Sequence, residues 1–132
     1  MPASAAEPAA ETLRLAVTAE VLYLANLLLL PLLAFLALLY LYRRHRASAP
    51  DPAACHLRQT LSASLWAGLL LVAANLLIVA LGGYDAPYTW LVVILYFTVC
   101  HSTLVMLGIF GLARAMAGQC VRFPLLGRFP GI

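Results

Sequence analysis

Two Cys-His pairs stand out in a chain that otherwise has few side chains suited to chemistry. The pairs are Cys55-His56 and Cys100-His101, and both residue types are common metal ligands. We expect no shared metal site, because the two histidines differ in depth by about 20 Å at the rise of a helix. Neighbouring residues in a helix also point about 100° apart. Since the sequence shows no catalytic constellation either, we predict that the protein is not an enzyme.

His101 is the candidate cofactor-binding residue. It belongs to the run Cys100-His101-Ser102-Thr103, the most polar stretch in the middle of an apolar segment. A polar side chain at that depth in a membrane usually turns towards a partner on a neighbouring helix, so we predict that His101 and Ser102 are helix-packing residues. The alternative is that His101 binds haem or a quinone. A haem with two histidine ligands would need the second from another chain, and we predict no cofactor.

Two amide side chains, Asn26 and Asn75, also lie within apolar segments. Counted from the ends of their segments, Asn26 lies about 8 Å and Asn75 about 10 Å below the same boundary. Amides at one depth on adjacent helices can bond to each other, a contact worth about 0.6–2 kcal/mol in membranes. We therefore predict that these two side chains pair and hold the first two membrane helices in register.

The composition places these side chains in a membrane protein. Of the 132 residues, 64% are hydrophobic and 10% are charged, whereas soluble domains have about 45–50% and about 25%. A membrane-spanning helix needs about 20 mostly apolar residues, and three segments meet that requirement. We predict an all-α integral membrane protein with an arm at 1–20, transmembrane helices at 21–42, 61–82 and 90–113, a basic loop at 43–60, an outer loop at 83–89 and a tail at 114–132.

The arginine positions predict the orientation of the chain. Seven of the eight arginines lie in the loop 43–60 and in the tail, and the chain has no lysine. Because cytoplasmic loops carry the excess of positive charge, the N-terminus is predicted outside and the C-terminus inside. The net charge of +3 is then a topology signal and does not indicate nucleic-acid binding. Richness in alanine and arginine favours a bacterial inner membrane, and three widely spaced cysteines predict no disulfide.

Two stretches carry a resemblance to a known family. The first reads HLRQTL at 56–61, and the second reads GIFGLARAMAG at 108–118, followed by RFP at 122–124. They resemble small bacterial membrane proteins of unknown function that are grouped with the chloroplast inner-envelope translocon channel family, over about residues 50–127. The matching positions are His56, Gln59, Ala113, Gly118 and Pro124. The resemblance implies a non-enzymatic protein and suggests a channel or translocation component.

These observations together predict a non-catalytic accessory, assembly or stabilising subunit. Three spans with short loops leave helix packing as the main chemistry that the chain offers, so the expected partner is a larger integral membrane complex within the lipid bilayer. Two alternatives stay open. One is a haem- or quinone-binding membrane subunit that uses His101, and the other is a homo-oligomeric channel or translocation component.

Overall fold

The structure, a computed structural model, describes residues 3–132 and is helical apart from loops and the tail. A π-helical segment, Tyr96–His101, joins α4 to α5, so that Thr89–Met116 forms one continuous rod. The predicted all-α class is confirmed. The helices are α1 (Ala3–Leu28), α2 (Pro31–His45), α3 (Ala53–Ala80), α4 (Thr89–Leu95) and α5 (Ser102–Met116).

Two helices are long and apolar enough to cross a membrane. They are α3 and the rod, and each has 28 residues. Helix α3 contains most of the predicted span 61–82, and the rod contains the whole predicted span 90–113. Both helices expose large apolar side chains over their outer parts, and a helix that is hydrophobic on all sides is typical of a membrane span or of the core of a larger assembly.

The predicted first span, residues 21–42, is two helices and not one. Helix α1 ends at Leu28, and α2 begins at Pro31. Proline is favoured at the first position of a helix and cannot continue one, because it has no amide hydrogen. Ala19 of α1 and Leu38 of α2 share one buried cluster, so the two helices run antiparallel. The chain therefore reverses at Leu29–Leu30 and forms a helical hairpin, named here the α1–α2 hairpin.

The core lies at the end where α3 begins and α5 ends, named here the basal end. Ala16, Ala53 and Ala115 are fully buried there and bring α1, α3 and α5 together. Such small side chains let helix backbones approach closely. Contacts between α1 and both α3 and α5 make the hairpin part of this core. The outer parts of α3 and of the rod extend beyond it.

The N-terminal half of α1 and the tail both lie at the basal end. Arg14, in the N-terminal half of α1, lines a groove together with His45 at the end of α2, and the tail follows α5 directly. With these two segments at one end, the predicted orientation, an N-terminus outside and a C-terminus inside, is not confirmed. The physical reason is the hairpin, which returns the chain to the end from which it started.

Candidate functional site

A buried pair of ionisable side chains, Glu20 of α1 and His56 of α3, lies at the centre of the basal end. The Nδ1 atom of His56 is 2.6 Å from Oε1 of Glu20, and both side chains are 0% exposed. An isolated carboxylate is very costly to bury, whereas a paired one is tolerated. The pair therefore ties α1 to α3 at a point that water does not reach.

The tail adds hydrogen bonds around this pair, although Oε2 of Glu20 is buried without a partner among the described residues. Nε2 of His56 donates to the Gln119 carbonyl at 2.8 Å, and Gln59 accepts the amide of Phe123 on its Oε1 at 3.2 Å. The amide nitrogen of Gln59 also donates to Glu20 Oε1 at 3.5 Å. We name this set the polar network: the side chains of Glu20, His56 and Gln59, the Gln119 carbonyl and the Phe123 amide. It joins α1, α3 and the tail.

The hydrogen-bond pattern fixes what His56 can do chemically. A carbonyl oxygen only accepts, so Nε2 must carry a proton, and Nδ1 faces a carboxyl group. One further proton is therefore held between Nδ1 and Glu20, either on the imidazole as an ion pair or on the carboxyl as a neutral pair. Because no face of the ring reaches solvent, this arrangement stabilises the bundle and offers no surface to a substrate.

Helix α5 packs closely against Glu20 at Gly111. A Cβ atom at Gly111 would come within 2.7 Å of Glu20 Oε2 and within 2.8 Å of its Cδ. Only glycine fits here, because any side chain would displace the carboxyl group. Near by, Tyr23 donates from its hydroxyl to the Leu104 carbonyl of α5 at 3.0 Å. The same turn of α1 is thus held against both α3 and α5.

A disulfide joins Cys55 to Cys120, which overturns the prediction that the cysteines stay unpaired. The two Cα atoms are 5.9 Å apart, inside the usual range for a disulfide. The bond lies beside the polar network, because Cys55 precedes His56 and Cys120 follows Gln119. It therefore fastens the start of the tail to the first turn of α3.

The tail continues along α3 beyond the disulfide. Ser62 donates from its hydroxyl to the Leu126 carbonyl at 2.8 Å, and the indole nitrogen of Trp66 donates to the Arg128 carbonyl at 3.3 Å. The Trp66 and Phe129 rings meet edge to face, with 5.6 Å between their centroids. The predicted tail is thus a docked segment that covers the basal half of α3.

Most positions of the sequence motif converge on this site. His56 and Gln59 belong to the polar network, and Pro124 follows the amide that Gln59 accepts. Gly118 has φ +68°, a left-handed conformation that glycine adopts without strain, and this lets the chain leave α5 and place the next carbonyl on His56. Ala113 lies apart and is exposed. The resemblance thus marked residues of the site without giving their roles.

Glu20 is the site residue that the sequence analysis missed, since it was counted only as one acid of the N-terminal arm. Its spacing from Ala16, Ala19 and Tyr23 is the signal that could have found it. These positions recur at three and four residues, which places them on one face of a helix. A face made of small residues and an aromatic residue usually packs against other helices, so an acid on that face is expected to be buried.

The predicted pairing of Asn26 with Asn75 is wrong. Asn75 donates to the Leu71 carbonyl at 2.8 Å and accepts the Tyr84 hydroxyl at 2.6 Å. Asn26 lies near the tip of the hairpin, and Asn75 lies far out on α3. Once α1 is paired with α3 through Glu20 and His56, the two amides differ in depth by about 20 Å at the helical rise.

His101 ends the π-helical segment and is half-buried. Its ring lies beside Phe97, with 5.3 Å between the ring centroids. Ser102, the other predicted packing residue, donates to the Phe97 carbonyl at 2.9 Å and so bonds within its own helix. Within residues 3–132, no three His, Cys, Asp or Glu side chains are grouped closely enough to hold a metal ion.

Comparison of the chain with protein families, curated proteins and solved structures gave no match. The resemblance over about residues 50–127 therefore stays a prediction.

Proposed function

We propose that this chain is a multi-pass protein of a bacterial inner membrane, where it acts as a non-catalytic subunit that stabilises a larger membrane complex. Its basal end faces the cytoplasm in this proposal, because the arginine-rich segments lie there and cytoplasmic segments carry the excess of positive charge. Helix α3 and the rod cross the bilayer. The short loop that joins them then faces outwards.

The outer half of α3 is the observation that carries the proposal. Its large apolar side chains are exposed on nearly every side of the helix, and α4 covers one side only. Two helices are too few to enclose a channel or a cofactor, so any ligand held within the membrane would need helices from another chain. The exposed side chains are Leu69, Leu71, Val72, Leu76, Leu77 and Val79.

The rigidity of the basal end also supports the proposal. The polar network and the docked tail fix the relative positions of α1, α3 and α5. Packing between membrane helices depends on close van der Waals contact and on a few hydrogen bonds. A rigid base that presents two apolar helices is suited to packing against other membrane helices.

Photo-crosslinking in the native membrane tests the proposal. A photoreactive residue at Leu76, whose side chain is 64% exposed, should give one dominant adduct with another integral membrane protein. The same residue at the buried position Leu57 is the matched control and should give none. The solubilised native particle should then contain that partner in fixed proportion.

Three results would count against the subunit. A particle with the mass of a single chain would contradict it. A particle of several identical chains would favour the homo-oligomeric channel. A Soret absorption band that is lost in a His101→Gln variant, with the particle intact, would favour the haem-binding alternative.

A further inference from the structure

The tip of the α1–α2 hairpin is an exposed apolar surface that the core does not use. The exposed fractions are 77% for Leu29, 69% for Leu32 and 65% for Leu33. No charged residue occurs anywhere between Val21 and Tyr42. An exposed apolar patch of this kind marks a site of interaction with a protein or with a membrane.

The depth of the tip follows from the helices that pack beside it. Glu20 lies opposite His56, and Leu28 is eight residues further along α1, which places the tip about 12 Å above the pair. Helix α3 reaches that level at Ser64 and continues to Ala80, about 24 Å further. If α3 spans a bilayer, the hairpin is therefore about 24 Å too short to reach the same outer surface.

Helix α5 gives the same depth independently. Tyr23 bonds to the Leu104 carbonyl, so the tip lies close to that level of the rod. From Leu104 the rod continues back to Thr89, about 22 Å in the direction of the outer loop. Since two separate helices agree, the depth of the tip does not depend on one contact.

Charged and aromatic residues mark where the hairpin leaves the apolar region. Arg43 and Arg44 lie in the last turn of α2 and Arg46 follows it, and Arg44 donates to the Tyr40 hydroxyl at 3.1 Å. Tyrosine and arginine favour the boundary between lipid headgroups and acyl chains. From Leu33 to Arg43 the helix rises about 15 Å, which matches half of a bilayer core about 30 Å thick.

We propose that the α1–α2 hairpin inserts its leucine-rich tip among the acyl chains of the cytoplasmic leaflet and returns to the cytoplasm without crossing. The proposal rests on the membrane placement proposed above and adds to it a second contact with lipid, on one side only. The arginines at the end of α2 then lie at the lipid phosphates. The N-terminal part of α1 lies on the same side of the membrane as the tail.

Single-cysteine labelling tests the topology. In a full-length chain with Cys100 changed to alanine and the Cys55–Cys120 pair changed to serine, cysteines are placed in turn at Glu7, Ser48 and Asp85. An impermeant maleimide added to intact cells should label Asp85→Cys alone, and inverted vesicles should expose the other two. Labelling of Glu7→Cys from outside would overturn the hairpin. Failure of Asp85→Cys to label from outside would overturn the membrane placement itself, so the two failures are distinct.

Spin-label depth measurements test what covers the tip. A label at Leu30→Cys should collide with dissolved oxygen and with quenchers carried on lipid chains. Its distance from the cytoplasmic headgroups should be about 12 Å less than that of a label at Val72→Cys on α3. Full access to a water-soluble nickel complex would place the tip outside the lipid. Shielding from lipid and water quenchers alike, in native membranes, would show a protein or a second copy on the tip. Either of these results would overturn the proposal.

Discussion

Removing His56 should destabilise the bundle strongly, and removing Glu20 as well should restore part of the loss. His56→Leu leaves the Glu20 carboxyl fully buried without the partner that now lies 2.6 Å away. An uncompensated buried charge costs about 3–5 kcal/mol. In the double variant with Glu20→Leu, the main remaining loss is the hydrogen bond to the carbonyl of the exposed residue Gln119, worth about 0.5–1.5 kcal/mol. The double variant should therefore be more stable than His56→Leu alone.

Trp66 provides the assay for this prediction. Its indole group bonds to the tail, so its fluorescence reports docking of the tail onto α3. In a Trp90→Phe background, equilibrium titration with dodecyl sulfate in mixed micelles gives the free energy of unfolding for each variant. Glu20→Gln should cost about 1 kcal/mol, because its amide can donate to Nδ1 of a neutral His56.

An exposed acid on α1 supplies the matched control. Glu7→Leu changes the same helix by the same residue types at an exposed position, so it should not rescue His56→Leu. If Glu20→Leu and His56→Leu give additive losses, or if Glu7→Leu rescues equally well, the two side chains do not act as a pair and the reasoning fails.

Other variants follow from the same geometry. Gly111→Ala should lower the free energy of unfolding by about 1–3 kcal/mol, because the added methyl group overlaps the Glu20 carboxyl. The control Gly68→Ala should leave the free energy of unfolding unchanged, because a Cβ there meets nothing within 4 Å. Equal losses in the two variants would refute this prediction. Gln59→Leu should release the tail, seen as faster trypsin cleavage within residues 122–128, and unchanged cleavage would contradict the bond to Phe123. With the basal end in the reducing cytoplasm, Cys55 and Cys120 should be thiols when alkylated in intact cells and a disulfide after purification in air; a disulfide already present in cells would place that end in an oxidising compartment.

The sequence alone determined the all-α fold class and the positions of the two long apolar helices. Helix α3 and the rod are apparent because hydropathy over about 20 residues is a property of the chain itself and needs no knowledge of its neighbours. The arginine-rich segments likewise identify one end of the molecule. His56, Gln59 and Gly118 could be marked because they belong to the motif on which the predicted resemblance rests. Their roles could not, because each role depends on a partner that is distant in sequence.

Only the tertiary structure decided the path of the first apolar segment and the partners of the site residues. The reason is that hydropathy does not show whether an apolar segment continues straight or folds back on itself. A run of 22 apolar residues reads the same whether it crosses a membrane once or folds back on itself at Pro31. The docking of α1 against α3 and α5 selects the second arrangement, since it places Glu20 beside His56 and so sets the level of every residue in the hairpin. The same docking separates Asn26 from Asn75. Likewise, the bond between Cys55 and Cys120, 65 residues apart, exists because the turn at Gly118 brings the tail back onto the first turn of α3.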